Sequence, residues 1–182
     1  VKFMAYFPYA PIAESGDNYV KTFIGSSPIY HFTITGTEDL MIAAPVWGNK
    51  NKDPKSMEFR HMLTQLRFQL QDLDGAFNGE KLEAITITAT HTKSTMNLET
   101  GAMGEWTTPG NIQLPMAQPV EIKYGAPVKV DGEIMLQPGK AEFQAEVKTK
   151  KGTFSGVQVY TRKAQNRYEA GRTSLGSNKL RN

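Results

Sequence analysis

Apolar and polar residues alternate in short runs along this chain, and glycine and proline cut the runs. Val1, Phe3, Ala5 and Phe7 alternate with Lys2, Met4 and Tyr6. A period of two sends successive side chains to opposite faces of a strand, so residues 1–7 predict a half-buried strand. Pro8 and Pro11 should end it. Phe32 to Thr35 predicts a second strand, closed by Gly36, and Leu40 to Ala44 a third. The next stretch, Pro45 to Ser56, is polar, basic and turn-rich, and reads as a loop or linker. Residues 57–73 carry two periods at once. Phe59, Leu63, Leu66, Leu70 and Leu73 step by three and four, as on a helix face, while Leu66, Phe68 and Leu70 alternate with Arg67, Gln69 and Gln71, as on a strand. Periodicity alone leaves both open.

Beyond Gly75 the strand pattern repeats at short intervals. Ile85, Ile87 and Ala89 alternate with threonines, and further strands are expected at 112–114, 120–124, 128–130, 133–136, 141–148 and 153–161. Between them stand turn sequences: Asn97 to Gly101, Pro109-Gly110, Asp131-Gly132 and Pro138-Gly139. Short strands with turn signals at this spacing suggest an all-β sandwich.

Composition narrows the chemistry. The chain has 182 residues, enough for one domain or for one domain and part of another, and 39% of them are hydrophobic, enough for a core. There is no cysteine, which excludes disulfides, thiolate metal sites and a cysteine nucleophile. No apolar run is long enough for a membrane-spanning helix. No signal segment is visible, and the chain opens inside a strand-like run, so we expect further residues upstream. The net charge of +3 comes largely from Lys148, Lys150, Lys151, Arg162, Lys163, Arg172, Lys179 and Arg181. With only Tyr160 and Tyr168 nearby, these residues read as a solvated face and tail, not as a nucleic-acid site.

Each candidate for chemistry has a plainer explanation. His31, His61 and His91 are thirty residues apart, as in a repeat or a three-histidine zinc site, but their flanking sequences differ and no acidic cluster accompanies them. Asp72 to Glu80 resembles a calcium loop, with glycines at the wrong positions; a turn between strands fits better. Gly152-Thr153-Phe154-Ser155-Gly156 departs from the G-x-S-x-G elbow and lies in an expected strand. No catalytic residue, metal ligand or cofactor site is expected. Trp47 and Trp106 could form a sugar-stacking platform, although aromatics in a sandwich more often pack in the core or at its rim.

Several segments, in order, resemble the fimbrillin family of Bacteroidales-type pilus subunits and surface lipoproteins. Val1 to Tyr9 is similar to its V-x-F-x-A-Y-Y-P-Y strand. Asp39 to Ala43 and then Phe59 to Leu70 are similar to its D-L-L-Y-A and F-x-H-A-L-x-x-L-x-F runs. Leu82 to Thr90, Met96 to Gly101, Met135 to Gly139 and Tyr168 to Arg172 resemble later family segments. The family's first strands are missing upstream, and Thr173 to Leu180 is glycine-broken and polar where the last strand should continue.

The resemblance, with the all-β surroundings, selects a strand for residues 57–73. It makes Phe59, His61, Leu63, Leu66 and Phe68 the signature core strand, with His61 structural. It implies seven-stranded transthyretin-like β-sandwiches, mostly antiparallel and of Greek-key type. Residues 1–47 would close a first sandwich, too short to fold alone, 48–56 would link, and 57–182 would form the second. Phe3, Leu66, Phe68, Ile85 and Ile87 would be core. It also implies a non-enzymatic cell-surface protein of the outer membrane and fimbrium, a pilus subunit or a tip or anchor component. Its partners would be other pilus subunits, joined by strand exchange into homo- or hetero-polymers, and surface glycans or proteins. The membrane would be met only through an N-terminal lipid anchor absent from this chain.

Overall fold

The computed structural model describes residues 1–10, 12, 20–51, 56–139, 142–164 and 167–170. Every regular element among them is a β-strand, and the sheets are antiparallel. The chain divides into two compact units. Unit one comprises Val1–Leu63 and His91–Thr108; unit two comprises Thr64–Thr90 and the described part of Pro109–Asn182.

In unit one, β1 (Lys2–Phe7), β4 (Met41–Trp47) and β5 (Phe59–His61) form a three-stranded sheet in the order β1-β4-β5. A second layer joins β2 (Val20–Ile24), β3 (Ser27–Thr33) and the latter half of β7 (Lys81–Asn97), whose residues 93–97 pair with β3. In β3, Tyr30 and Phe32 point inward and are fully buried; Ile34, Leu40, Ile42, Met96 and Leu98 complete the core. A line of rings runs through it, from Tyr6 to Tyr30 (5.7 Å), Phe32 (5.9 Å) and Trp106 (5.5 Å).

In unit two, β6 (Thr64–Leu70) pairs with β10 (Val128–Leu136). The first half of β7 pairs with β11 (Glu142–Thr149), which pairs with β12 (Gly152–Ala164), which pairs with β13 (Arg167–Ala170). Two further strands also pair with β7: β8 (Thr107–Gln113), whose first two residues belong to unit one, and β9 (Val120–Glu121). β6 alternates as its sequence requires: Thr64, Leu66, Phe68 and Leu70 are buried and Arg67 is exposed. Ile85, Ile87, Ile134, Leu136 and Phe143 are buried with them.

The sequence departs from this structure in ways that have physical causes. Strand β4 continues through Pro45 to Trp47, where a loop was expected. Between the Phe3↔Val46 and Ala5↔Ala43 pairs, β4 carries one residue more than β1, so Pro45, which has no N–H to donate, sits in a bulge. Within residues 57–73, Phe59–His61 and Thr64–Leu70 are strands, as expected, but the chain is interrupted at Met62 and Leu63 and serves two sheets: Phe59 pairs with Ala43 in unit one, and Leu66 with Ile134 in unit two. The division into 1–47, 48–56 and 57–182 therefore departs from the compact units. Residues 57–63 and 91–108 belong to unit one because strand pairing, not chain order, gathers them. Asp131-Gly132 is not a hairpin turn but a bulge inside β10, where four residues of β10 pass two of β6. Pro109-Gly110 lies within β8, beside Thr108 at φ 58°. Two expected core residues of unit one are half exposed instead: Phe3 at 50% and Phe59 at 49%. Their rows share the outer face of the β1-β4-β5 sheet with Phe7 and Met41, while Tyr6 and Ile42 face inward.

Candidate functional site

The three histidines are held separately. His31 Nε2 lies 2.8 Å from Thr22 Oγ1 on the neighbouring strand β2. His61 Nδ1 lies 2.7 Å from Asp39 Oδ1, an acidic partner that its sequence neighbourhood did not suggest, and its side chain stays 63% exposed. His91 lies on β7. Among the described residues, no three His, Asp or Glu side chains gather as a metal site would need.

The Asp72–Glu80 loop is built around a buried carboxylate. Asp72 Oδ1 accepts from the Gly75 amide at 3.0 Å and Oδ2 from the Phe77 amide at 3.0 Å. Both oxygens are thus used in shaping the turn, as expected of a connection between strands. Lys151 crosses the loop, donating to the Ala76 carbonyl at 2.7 Å and pairing with Glu80 at 3.7 Å. Ser155 of the false elbow is exposed on β12 and donates to Glu146 on β11 at 3.0 Å. Of the basic residues near the chain's end, Lys148 pairs with Glu83 at 3.6 Å, which fits a solvated strand face; Arg172, Lys179 and Arg181 lie outside the described residues, as does the expected irregular stretch 173–180.

Glu38 forms a second carboxylate nest. The amides of Thr35 (2.8 Å), Gly36 (2.9 Å) and Thr37 (3.1 Å) and the Thr35 hydroxyl (2.6 Å) all donate to it. Partial burial opposes ionisation, but the hydrogen bonds from the Thr35 hydroxyl and the Thr35 and Gly36 amides prevail and hold the carboxyl below its ordinary pKa.

Of the two tryptophans, only one is presented to solvent. Trp106 is half-buried and packs edge-on against Phe32, at 72°. Trp47, the last residue of β4, is 69% exposed and makes no ring contact with Trp106. It stands opposite Lys2 on β1, whose ammonium lies 5.9 Å from the indole centroid. Lys2 in turn ion-pairs with Glu99, and Glu99 Oε2 accepts from Ser27 Oγ at 3.3 Å. Lys2, Ser27 and Glu99 carried no signal in the sequence, because 97 positions separate Lys2 from Glu99 and only the folding of unit one, which holds their strands in two different sheets, brings them together.

In unit one, Phe3, Phe7 and Phe59 are about half exposed on the outer face of the β1-β4-β5 sheet, and an exposed apolar face of this kind marks an interaction surface; Phe23 and Ile24 are exposed separately, on β2. No helix is long and apolar enough to cross a membrane among the described residues.

Residues 1–181 match a protein-family model described as fimbrillin-like. No curated protein matches the chain. Among solved structures it is similar to a protein of Bacteroides uniformis ATCC 8492, provisionally described as a cell adhesion protein, at 20% identity and a TM-score of 0.56, over 92% of this chain and 62% of that one. It is similar too to a protein of the same description from Bacteroides ovatus ATCC 8483, at 20% identity and a TM-score of 0.54, over 85% of this chain and 55% of that one. At such identities the likeness is one of fold, and the chain spans less than two thirds of either protein's length.

Proposed function

The chain belongs to the fimbrillin-like family, and on that premise we propose that it is a non-enzymatic component of a bacterial surface fimbrium that contributes to adhesion. The match of the family model to residues 1–181 is the observation that carries the proposal. The fold shared with two proteins described as cell adhesion proteins supports it.

In this proposal the two units are transthyretin-like sandwiches, and the protein joins other subunits by accepting and donating strands. β10 supports that step. It forms a sheet with β6 alone, so its far edge has no strand partner among the described residues. An added strand would satisfy the main-chain donors and acceptors there. The role in the stalk, at the tip or in the anchor would follow from which edges are used.

Surface labelling tests the location. Antibody against the chain should label intact, unpermeabilised cells, and mechanical shearing should release the antigen. Labelling that appears only after cells are opened would contradict a fimbrial role.

A further inference from the structure

We infer that the rim of unit one at Trp47, Lys2, Glu99 and Ser27 is a binding site for neutral saccharides; this rests on the adhesive function proposed above. The inference starts from an apolar side chain left in water but not left loose. At 69% exposure the Trp47 indole gives up most of what burial would contribute. Yet the Lys2 ammonium, within reach of a cation–π contact, backs the ring. Glu99 fixes Lys2. The turn after β7 fixes Glu99: Asn97 Oδ1 accepts from the amides of Glu99 (2.9 Å) and Thr100 (3.0 Å), and the Gly101 amide closes on the Asn97 carbonyl at 2.8 Å. An aromatic surface oriented in advance loses little freedom when a ligand lands on it.

The polar groups beside the ring select the ligand. Lys2 can only donate hydrogen bonds, an ionised Glu99 can only accept them, and the Ser27 hydroxyl does both. A pyranose has a C–H face for the exposed indole and hydroxyls, both donor and acceptor, for the three polar groups. Lys2 and Glu99 remain reachable, with side chains 26% and 35% exposed. Because Lys2 and Glu99 neutralise each other, the pair offers an acidic sugar no net charge, which favours neutral hexoses and N-acetylhexosamines. A protein partner would find its apolar contact elsewhere, on the outer face that carries Phe3, Phe7 and Phe59.

The test couples the 182-residue chain to beads and exposes them to a printed array of neutral and sialylated oligosaccharides. Wild type, Trp47→Ala, Trp47→Phe and Trp106→Phe are compared, with circular dichroism to confirm that each is folded. The expected result is retention on neutral hexose- or N-acetylhexosamine-terminated oligosaccharides, competed by the same oligosaccharide free in solution. Trp47→Ala should lose at least tenfold, Trp47→Phe should lose less, and Trp106→Phe should bind as wild type does. No retention on any saccharide, or retention undiminished in folded Trp47→Ala, would overturn the site. Adhesion of the beads to cells separates this failure from that of the parent proposal. If Trp47→Ala beads adhere as wild type does and free oligosaccharide does not compete, the saccharide site falls and adhesion through another surface stands.

Discussion

Two carboxylates show how single residues hold this fold. Asp72 is 3% exposed and accepts two main-chain hydrogen bonds, so removing its oxygens strands two amides in a turn between strands. Asp72→Ala should cost about 1–3 kcal/mol of stability in denaturant titration. An unchanged midpoint would show that the turn forms without the carboxylate. Glu38 predicts a pH dependence. Its folded pKa lies below the unfolded value of 4.5, so its stabilising contribution is complete above that value and is lost as pH falls through the lowered folded one. Thermal melts from pH 6 to pH 3 should therefore show a decline that Glu38→Gln flattens. Identical declines in the two proteins would remove Glu38 from the account. Neither role could be read from sequence. Asp72 stood in an apparent calcium loop, and Glu38 in an unremarkable Thr-Gly-Thr-Glu stretch.

At the scale of elements, strands with one clearly buried face were legible. β6 and β11 follow their alternation residue by residue, because each packs one face inward along its whole described length. β7 did not, except near Ile85 and Ile87. Beyond Leu82, which lies past a register shift against β11, its buried positions change from odd numbers (Ile85, Ile87) to even ones (Thr90, Thr92, Ser94, Met96), just before the strand passes from unit two to unit one after Thr90. A one-residue offset exchanges the two faces of a strand. In a threonine-rich run the offset leaves no trace in hydrophobicity, and the inward hydroxyls are satisfied locally, as where Thr92 donates to the Thr108 carbonyl and Ser94 to the Gly104 carbonyl. β2 was missed because Phe23 and Ile24 are exposed and do not alternate. The bulge in β10 was taken for a turn because glycine at positive φ serves both. Gly132 has φ 100°, and a Cβ there would stand 2.9 Å from the Pro115 carbonyl oxygen. Gly132→Ala should destabilise by about 1–3 kcal/mol, while Leu66→Ala, at the centre of β6, should cost about 2–5 kcal/mol. Equilibrium unfolding of the two variants checks both. A neutral Gly132→Ala would mean that the bulge relaxes freely.

For the molecule as a whole, family and all-β class were legible from ordered segments, whereas the compact units were not, because residues 59–61 and 91–97 complete sheets begun far away in sequence. The candidate saccharide site was half legible: Trp47 was visible as an aromatic in a polar stretch, its polar neighbours only through the folding of unit one. The proposed function makes the protein a strand-exchanging surface subunit, and electrophoresis in SDS, unboiled against boiled, of material sheared from cells making the full-length protein tests that role. Strand exchange predicts an SDS-resistant ladder that collapses to a single band on boiling, since main-chain pairing over a full edge strand resists detergent more than side-chain contact does. One monomer band in both lanes would contradict polymerisation by strand exchange.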